Sequence, residues 1–253
     1  MNKENYVGNT LKKLLSAAGN ALTDLLFPLR CPVCDKPVRF PGKDICPECE
    51  SKLRLIREPV CRKCGKQLAY MESEYCHDCR VRKHIYDRGI ALYTYESCRE
   101  TLYRLKYSGR REYTGFLAHM MAKTLGSQIY AWRPDALIPV PLHPERLKKR
   151  GYNQAELLAE KLAELLNIPI LSECVIRTRN TRPQKEVEGG LRQNNLKNSF
   201  KIVQNDVKLN TIVIIDDIYT TGSTIDALAE EFRRAGVKNI YFVTLAIGST
   251  GAD

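Results

Sequence analysis

Residues 211–224 read Thr-Ile-Val-Ile-Ile-Asp-Asp-Ile-Tyr-Thr-Thr-Gly-Ser-Thr, and two kinds of chemistry stand in order along them. Asp216 and Asp217 are adjacent carboxylates, suited to accepting hydrogen bonds from neighbouring hydroxyls. Thr220, Thr221, Gly222, Ser223 and Thr224 are small hydroxyl residues around a glycine, the composition of a loop that offers backbone N–H groups to an anion. Acids beside a phosphate seat would repel a bare phosphate. They make sense for a ligand with hydroxyls next to its phosphate, as in ribose 5-phosphate, with the acids on the 2- and 3-hydroxyls and the loop on the phosphate. The plainer alternative is a strand with a solvated acidic end and no ligand. The ordered succession of acids, hydroxyls and glycine favours the ligand.

The elements that must position these residues are legible around them. Ile212 to Ile215 form a β-branched run expected to be buried on both faces of a parallel sheet, ending at the acids. Ile225 to Ala235 follow a helical pattern, so the loop opens a helix N-terminus with its partial positive charge. Ala136 to Pro141 read as a second buried strand. After it comes the cationic segment Glu145-Arg-Leu-Lys-Lys-Arg150-Gly-Tyr-Asn153-Gln154, then a helix from Ala155 to Leu166. Asn153 with Glu156 resembles a capping box. Arg150 and Asn153 are candidates for holding a pyrophosphate. Earlier in the chain, Arg88 to Glu96 alternate like a strand and Arg99 to Tyr107 suit a helix. A basic loop from Lys106 to Arg111 follows, with Lys106 a further ligand candidate, and then an apolar helix from Phe116 to Leu125. Residues 177–200 are polar and aperiodic, and a cationic lid would use such residues, including Gln184 and Arg192. Ile240 to Ile247 supply a last strand. No residue identifies itself as a general base.

Eight of the ten cysteines form four Cys-x-x-Cys pairs in the first third of the chain. In a chain whose residues 11–26 do not read as a secretory signal, this spacing favours metal over disulfides. Two knuckles supply the four thiolates that tetrahedral zinc takes. The sequential assignment places Cys31, Cys34, Cys46 and Cys49 on one ion and Cys61, Cys64, Cys76 and Cys79 on a second, with a cross-braced pairing left open. Both sites read as structural. His77 is expected to be a solvent-facing residue, and Cys98 and Cys174 to be packed side chains.

The formal net charge is +11, and eight thiolates with two Zn²⁺ would lower it by four, to +7. A basic chain suits polyphosphates or nucleic acid. Residues 1–28 carry an amphipathic pattern expected to be a helix docked on the body. Residues 29–84 are then a double zinc ribbon and 85–253 the ligand-binding domain. No run is long enough to span a bilayer, and the expected address is the cytoplasm.

The stretch 211–224 resembles the 5-phosphoribosyl-1-pyrophosphate (PRPP) motif of type I phosphoribosyltransferases. The whole order resembles the ComF (ComFC/GntX-like) family. Cysteine knuckles precede the main domain. Val140-Pro141-Leu142-His143-Pro144 and Arg150-Gly151-Tyr152-Asn153-Gln154 are similar to that family's Val-Pro-Leu-His and Arg-Gly-Phe-Asn-Gln signature, with Tyr for Phe. Gln184, Arg192, Asn195 and Phe200 match its Gln … Arg-x-x-Asn … Phe spacing, with Val187 where Leu is usual. The resemblance implies an α/β type I phosphoribosyltransferase fold, a central mostly parallel sheet flanked by helices, with an N-terminal zinc-ribbon module. It also implies PRPP binding with Mg²⁺ and a role in natural competence, handling incoming single-stranded DNA beside a competence helicase of the ComFA type at the inner face of the membrane. A second function remains in view, a non-catalytic single-stranded DNA module in which Tyr93, Tyr95, Tyr103 and Tyr107 stack on bases.

Overall fold

Four parallel strands build the sheet that carries the acids. The computed structural model describes residues 28–38, 42–179, 199–203 and 208–248. The amphipathic segment 1–27, Gln184, Arg192 and Asn195 lie outside them. The chain divides into two compact units, Met1–Ser51 and Lys52–Asp253, so the two cysteine sets fall in different units.

In the smaller unit, helix α1 (Pro47–Glu50) begins directly after Cys46. In the larger unit, helix α2 (His77–Val81) begins directly after Cys76. Strand β1 (Arg88–Thr94) leads into α3 (Tyr95–Tyr107) and α4 (Tyr113–Ala131). Strand β2 (Ala136–Pro139) precedes α5 (Pro144–Arg150) and α6 (Gln154–Leu166). The short strands β3 (Val175–Arg177) and β4 (Phe200–Ile202) pair antiparallel as a separate ribbon. Strand β5 (Thr211–Tyr219), helix α7 (Ser223–Arg234) and strand β6 (Asn239–Ile247) complete the chain.

The main sheet has the order β1-β6-β5-β2 and every pairing in it is parallel. Its strands are apolar runs buried on both faces, as parallel strands must be when helices cover them. The expected alternation along Arg88 to Glu96 is therefore corrected: Gly89 to Tyr93 are buried without a break. The helix after it begins at Tyr95 rather than Arg99. Asp135 pins the start of β5, its Oδ2 accepting from the N–H groups of Asn210 (2.7 Å) and Thr211 (2.8 Å).

Two further differences bear on the site. β5 does not end at the acids but runs on to Tyr219, because β6 keeps pairing with it through Ile247. The cationic run 144–150 is a helix, with Pro144 at its start, Glu145 in its first turn, three cations in its last and Gly151 in the left-handed conformation (φ 82°) closing it.

Candidate active site

The acids stand where β5 outruns its neighbour. β2 stops at Pro139, opposite Ile215, and past Val140, whose N–H donates to the Ile215 carbonyl (2.9 Å), no described strand covers that edge. In open α/β sheets, ligands bind in the crevice outside such carboxyl ends of the strands.

Asp217 is almost fully buried. Its Oδ2 forms an ion pair with the Lys106 ammonium, and its Oδ1 accepts from Gln154 Nε2 (3.1 Å). Gln154 Oε1 in turn accepts from Arg150 Nη1, and the Arg150 guanidinium lies over the Tyr107 ring at 5.5 Å. A continuous chain Lys106–Asp217–Gln154–Arg150 thus gathers groups from α3, β5, α6 and α5. Burial alone would raise the Asp217 pKa, but Lys106, with the Gln154 amide, outweighs it and holds the carboxyl below its usual range. Burial would likewise lower the Lys106 pKa, and Asp217 overrides it, so the ammonium stays charged.

Asp216 is in a different state. It keeps partial solvent access, and its Oδ1 accepts from the Asp217 N–H (2.8 Å). Burial among its neighbours, and then the Asp217 charge, hold its pKa well above the ordinary carboxylate value. The pair carries one negative charge more readily than two. Such a site has one fixed acceptor and one group able to give or take a hydrogen bond, which suits a vicinal diol.

The loop after β5 is shaped by its glycine. Gly222 has φ 80° and precedes the first turn of α7, whose leading N–H groups have no intrahelical acceptor. A Cβ on Gly222 would stand 2.6 Å from Tyr219 Oη and 3.0 Å from His84 Cε1. Conformation and space both call for glycine here. Thr221 Oγ1 and Ser223 Oγ are hydrogen-bonded at 2.9 Å, and the Gly248 N–H anchors the Tyr219 carbonyl (3.0 Å).

Of the remaining expected residues, Asn153 is buried with both ends of its amide engaged. It accepts from the Ala155 N–H (3.1 Å) as the cap of α6 and donates to the Val140 carbonyl (3.0 Å). It positions Gln154 beside Asp217. Lys106 sits in the last turn of α3 rather than in a loop. The neighbouring Tyr152 hydroxyl donates to the Leu105 carbonyl, fixing the end of α3 from which Lys106 reaches out. Residues missed as site members by sequence reasoning are Gln154 and His84. Gln154 was legible as part of a motif, but only the fold shows that it meets Asp217. Arg177 lies at the end of β3 with its guanidinium 5.4 Å from the Phe200 ring centre, and its pKa is lowered by burial and then by Arg146.

Each cysteine set is brought together in the sequential arrangement, the sulfurs of each lying within 4.8 Å of one another. The Cys34–Cys46 and Cys64–Cys76 sulfur separations are 3.8 and 3.7 Å. Tetrahedral zinc at about 2.3 Å from each sulfur sets neighbouring sulfurs about 3.8 Å apart, so the donors fit the ion. The knuckles share their turns: Cys31 N donates to the Lys36 carbonyl (2.9 Å) and Cys61 N to the Lys66 carbonyl (2.7 Å). These are structural zinc sites. His77 is exposed and outside the sulfur sets. Cys98 and Cys174 are packed, burial pushing their thiols up to about 12 and about 11.

Comparison with known proteins agrees with this geometry. A double zinc ribbon domain matches residues 22–80, and a phosphoribosyl transferase domain matches residues 117–252, more than half of the chain. The chain is 39% identical over 115 residues to Competence protein F of Haemophilus influenzae, covering 45% of this chain and 50% of that one. It is 36% identical over 146 residues to DNA utilization protein YhgH of Shigella flexneri (55% of this chain, 62% of the relative). It is 31% identical over 158 residues to Competence protein ComFC of Bacillus subtilis (60% of this chain, 62% of the relative). The matches therefore span half to under two thirds of these relatives' lengths. Two of the three are named competence proteins, in line with the family that the sequence motifs resemble. With its parallel sheet, its acids where β5 outruns β2 and its glycine-capped helix, the chain belongs to the phosphoribosyl transferase domain family and carries a double zinc ribbon.

Proposed function

We propose that the chain binds PRPP with Mg²⁺ at the end of β5 and transfers its phosphoribosyl group, releasing pyrophosphate, in the uptake and handling of single-stranded DNA during natural transformation. The observation that carries this reading is the Lys106–Asp217–Gln154–Arg150 chain, centred on the strand that leads into the Gly222-capped start of α7. The competence role comes from the names of the relatives.

In this reading Thr220, Thr221, Gly222, Ser223 and Thr224 seat the 5-phosphate, and Asp216 and Asp217 hold the ribose hydroxyls. Departure of pyrophosphate from C1 leaves positive charge on the sugar, and the ionised Asp217 is fixed nearby to stabilise it. Arg150 and Lys106 carry the opposite charge, suited to the leaving group. Mg²⁺, when bound with PRPP, neutralises phosphate oxygens and takes most of its ligands from them and from water. Gln184 and Arg192 belong to the proposed lid, in a segment outside the described residues. Pyrophosphate release from PRPP, screened over bases, amines and DNA ends, tests catalysis; Asp216→Asn and Asp217→Asn are expected to abolish it, and release undiminished in both variants would contradict it.

A second reading has its own observation. Tyr103 and Tyr107 are exposed on α3 with ring centres 5.1 Å apart, and Arg150 lies over Tyr107. This is an aromatic and cationic ledge of the kind on which single-stranded DNA stacks. Tyr93 is buried and cannot serve so. DNA binding with a steep salt dependence, retained in both Asp variants and without pyrophosphate release, would favour a non-catalytic DNA module acting with a helicase.

A further inference from the structure

Beneath the loop at Gly222 lies a stack of buried polar aromatics that reaches back to the second cysteine set. All of it belongs to the Lys52–Asp253 unit. Cys61, Cys64 and Cys76 share one core with Tyr86, Tyr219, Ile225, Phe232 and Phe242. The knuckle is clasped to β1: the Gly89 N–H donates to the Lys63 carbonyl (2.8 Å). Gly65, at φ 76°, lies so close that a Cβ there would be 2.7 Å from the Gly89 carbonyl oxygen. The Lys63 ammonium sits 5.2 Å over the Tyr86 ring. Tyr86 is fully buried and its hydroxyl is 2.7 Å from that of Tyr219. His84 stacks on Tyr86 at 4.9 Å and touches the space under Gly222. Its Nδ1 pairs with Asp226 Oδ2 (2.7 Å), while Asp226 Oδ1 accepts from the Ile85 N–H (2.8 Å).

One detail shows that His84 is more than filler. Its side chain is 2% exposed, and its Nε2 is buried without a hydrogen-bond partner. A buried polar atom left unpaired carries a desolvation penalty that an apolar side chain of similar size would avoid. What a hydrocarbon could not provide is the bond from Nδ1 to Asp226, in the first turn of α7.

We propose that the second metal centre sets the geometry of the anion loop, with Tyr86 and His84 as positioning residues that transmit it to Gly222 and the first turn of α7. The proposal rests on the reading of that loop as a phosphate seat. Zinc holds the Cys61–Cys79 knuckle, the knuckle holds the segment from Lys63 to Gly89, and Tyr86 and His84 on that segment hold Tyr219 and Asp226 on either side of the loop. The centre is then part of the binding site's foundation, although its sulfurs touch no ligand.

The test is hydrogen exchange on the zinc-replete full chain, read at the amides of residues 222–226, together with zinc content, thermal midpoint and PRPP–Mg²⁺ affinity. His84→Ala and Tyr86→Phe are expected to speed exchange at those amides about tenfold, with two zinc ions still bound and the midpoint lowered by only a few degrees, as the loss of buried atoms requires. His84→Asn, whose amide nitrogen can take the place of Nδ1 on Asp226, is expected to restore much of the protection, and PRPP affinity to fall in the same order. Exchange unchanged in both loss variants, or accelerated only along with the whole domain, overturns the proposal. If PRPP binds the wild type and neither variant alters affinity or exchange, the positioning role fails and the phosphate seat stands. If the wild type ignores PRPP while exchange follows the expected order, the phosphate seat fails and the positioning role stands.

Discussion

At the scale of single residues, the site works because two adjacent acids are given different surroundings. Asp217 has Lys106 and Gln154, while Asp216 has neither among its described hydrogen bonds. The consequences for stability have opposite signs. The Asp217 pKa is lowered in the fold, so its ionised form stabilises the protein above the unfolded value near 4, and that contribution is lost as pH falls through the folded value. The Asp216 pKa is raised, so the folded state binds a proton that the unfolded state releases, and stability declines as pH rises above about 4. Asp216→Asn is therefore expected to raise the thermal midpoint at pH 7 by a few degrees, with the gain shrinking towards pH 4, as scanning calorimetry across that range would show. Lys106→Met should do the reverse at pH 7, lowering stability by about 3–5 kcal/mol because it leaves a buried carboxylate without its partner. A midpoint unaffected by either change would mean that the two acids are equivalent and solvated.

At the scale of elements, the handover from β5 to α7 was legible because its signals are local. The β-branched run, the acids and the glycine follow one another within 211–224. The strand's extra length was not legible, since it depends on β6 continuing beside it through Ile247. Helix α5 has Pro144, Glu145, a basic last turn and Gly151 to announce it, but its density of charge suits a solvated loop equally well. The ion pair between Lys106 and Asp217 joins residues far apart in sequence, and the His84–Asp226 pair spans more still, so only the sheet order reveals them. Gly222 offers the sharpest test at this scale. Gly222→Ala forces a side chain into left-handed backbone, at about 1–2 kcal/mol, and against Tyr219 and His84. The expected outcome is a lower midpoint by equilibrium unfolding and a larger, at least about tenfold, loss of PRPP affinity, since about 1.4 kcal/mol is a factor of ten.

At the scale of the whole molecule, the two cysteine sets are alike in chemistry and different in setting. One lies in the Met1–Ser51 unit, and the other is in the core of the unit that bears the acids. Metal analysis should find about two zinc ions per chain. Cys34→Ser should remove one and leave the midpoint of the larger unit nearly unchanged. Cys61→Ser should remove the other and destabilise the larger unit by several kcal/mol, since structural zinc supplies about 10–16 kcal/mol of binding free energy. Equal effects of the two changes would show that the sets are energetically interchangeable. Among the described residues no helix is long and apolar enough to cross a membrane. The central claim is that a sugar phosphate is held where β5 gives way to α7, and calorimetric titration of zinc-replete protein with PRPP and Mg²⁺ tests it most directly. Saturable binding to one site per chain, weakened at least about tenfold by Asp217→Asn through loss of a charged hydrogen-bond acceptor, is the predicted result. No heat of binding in the wild type, or unchanged affinity in the variant, would contradict it.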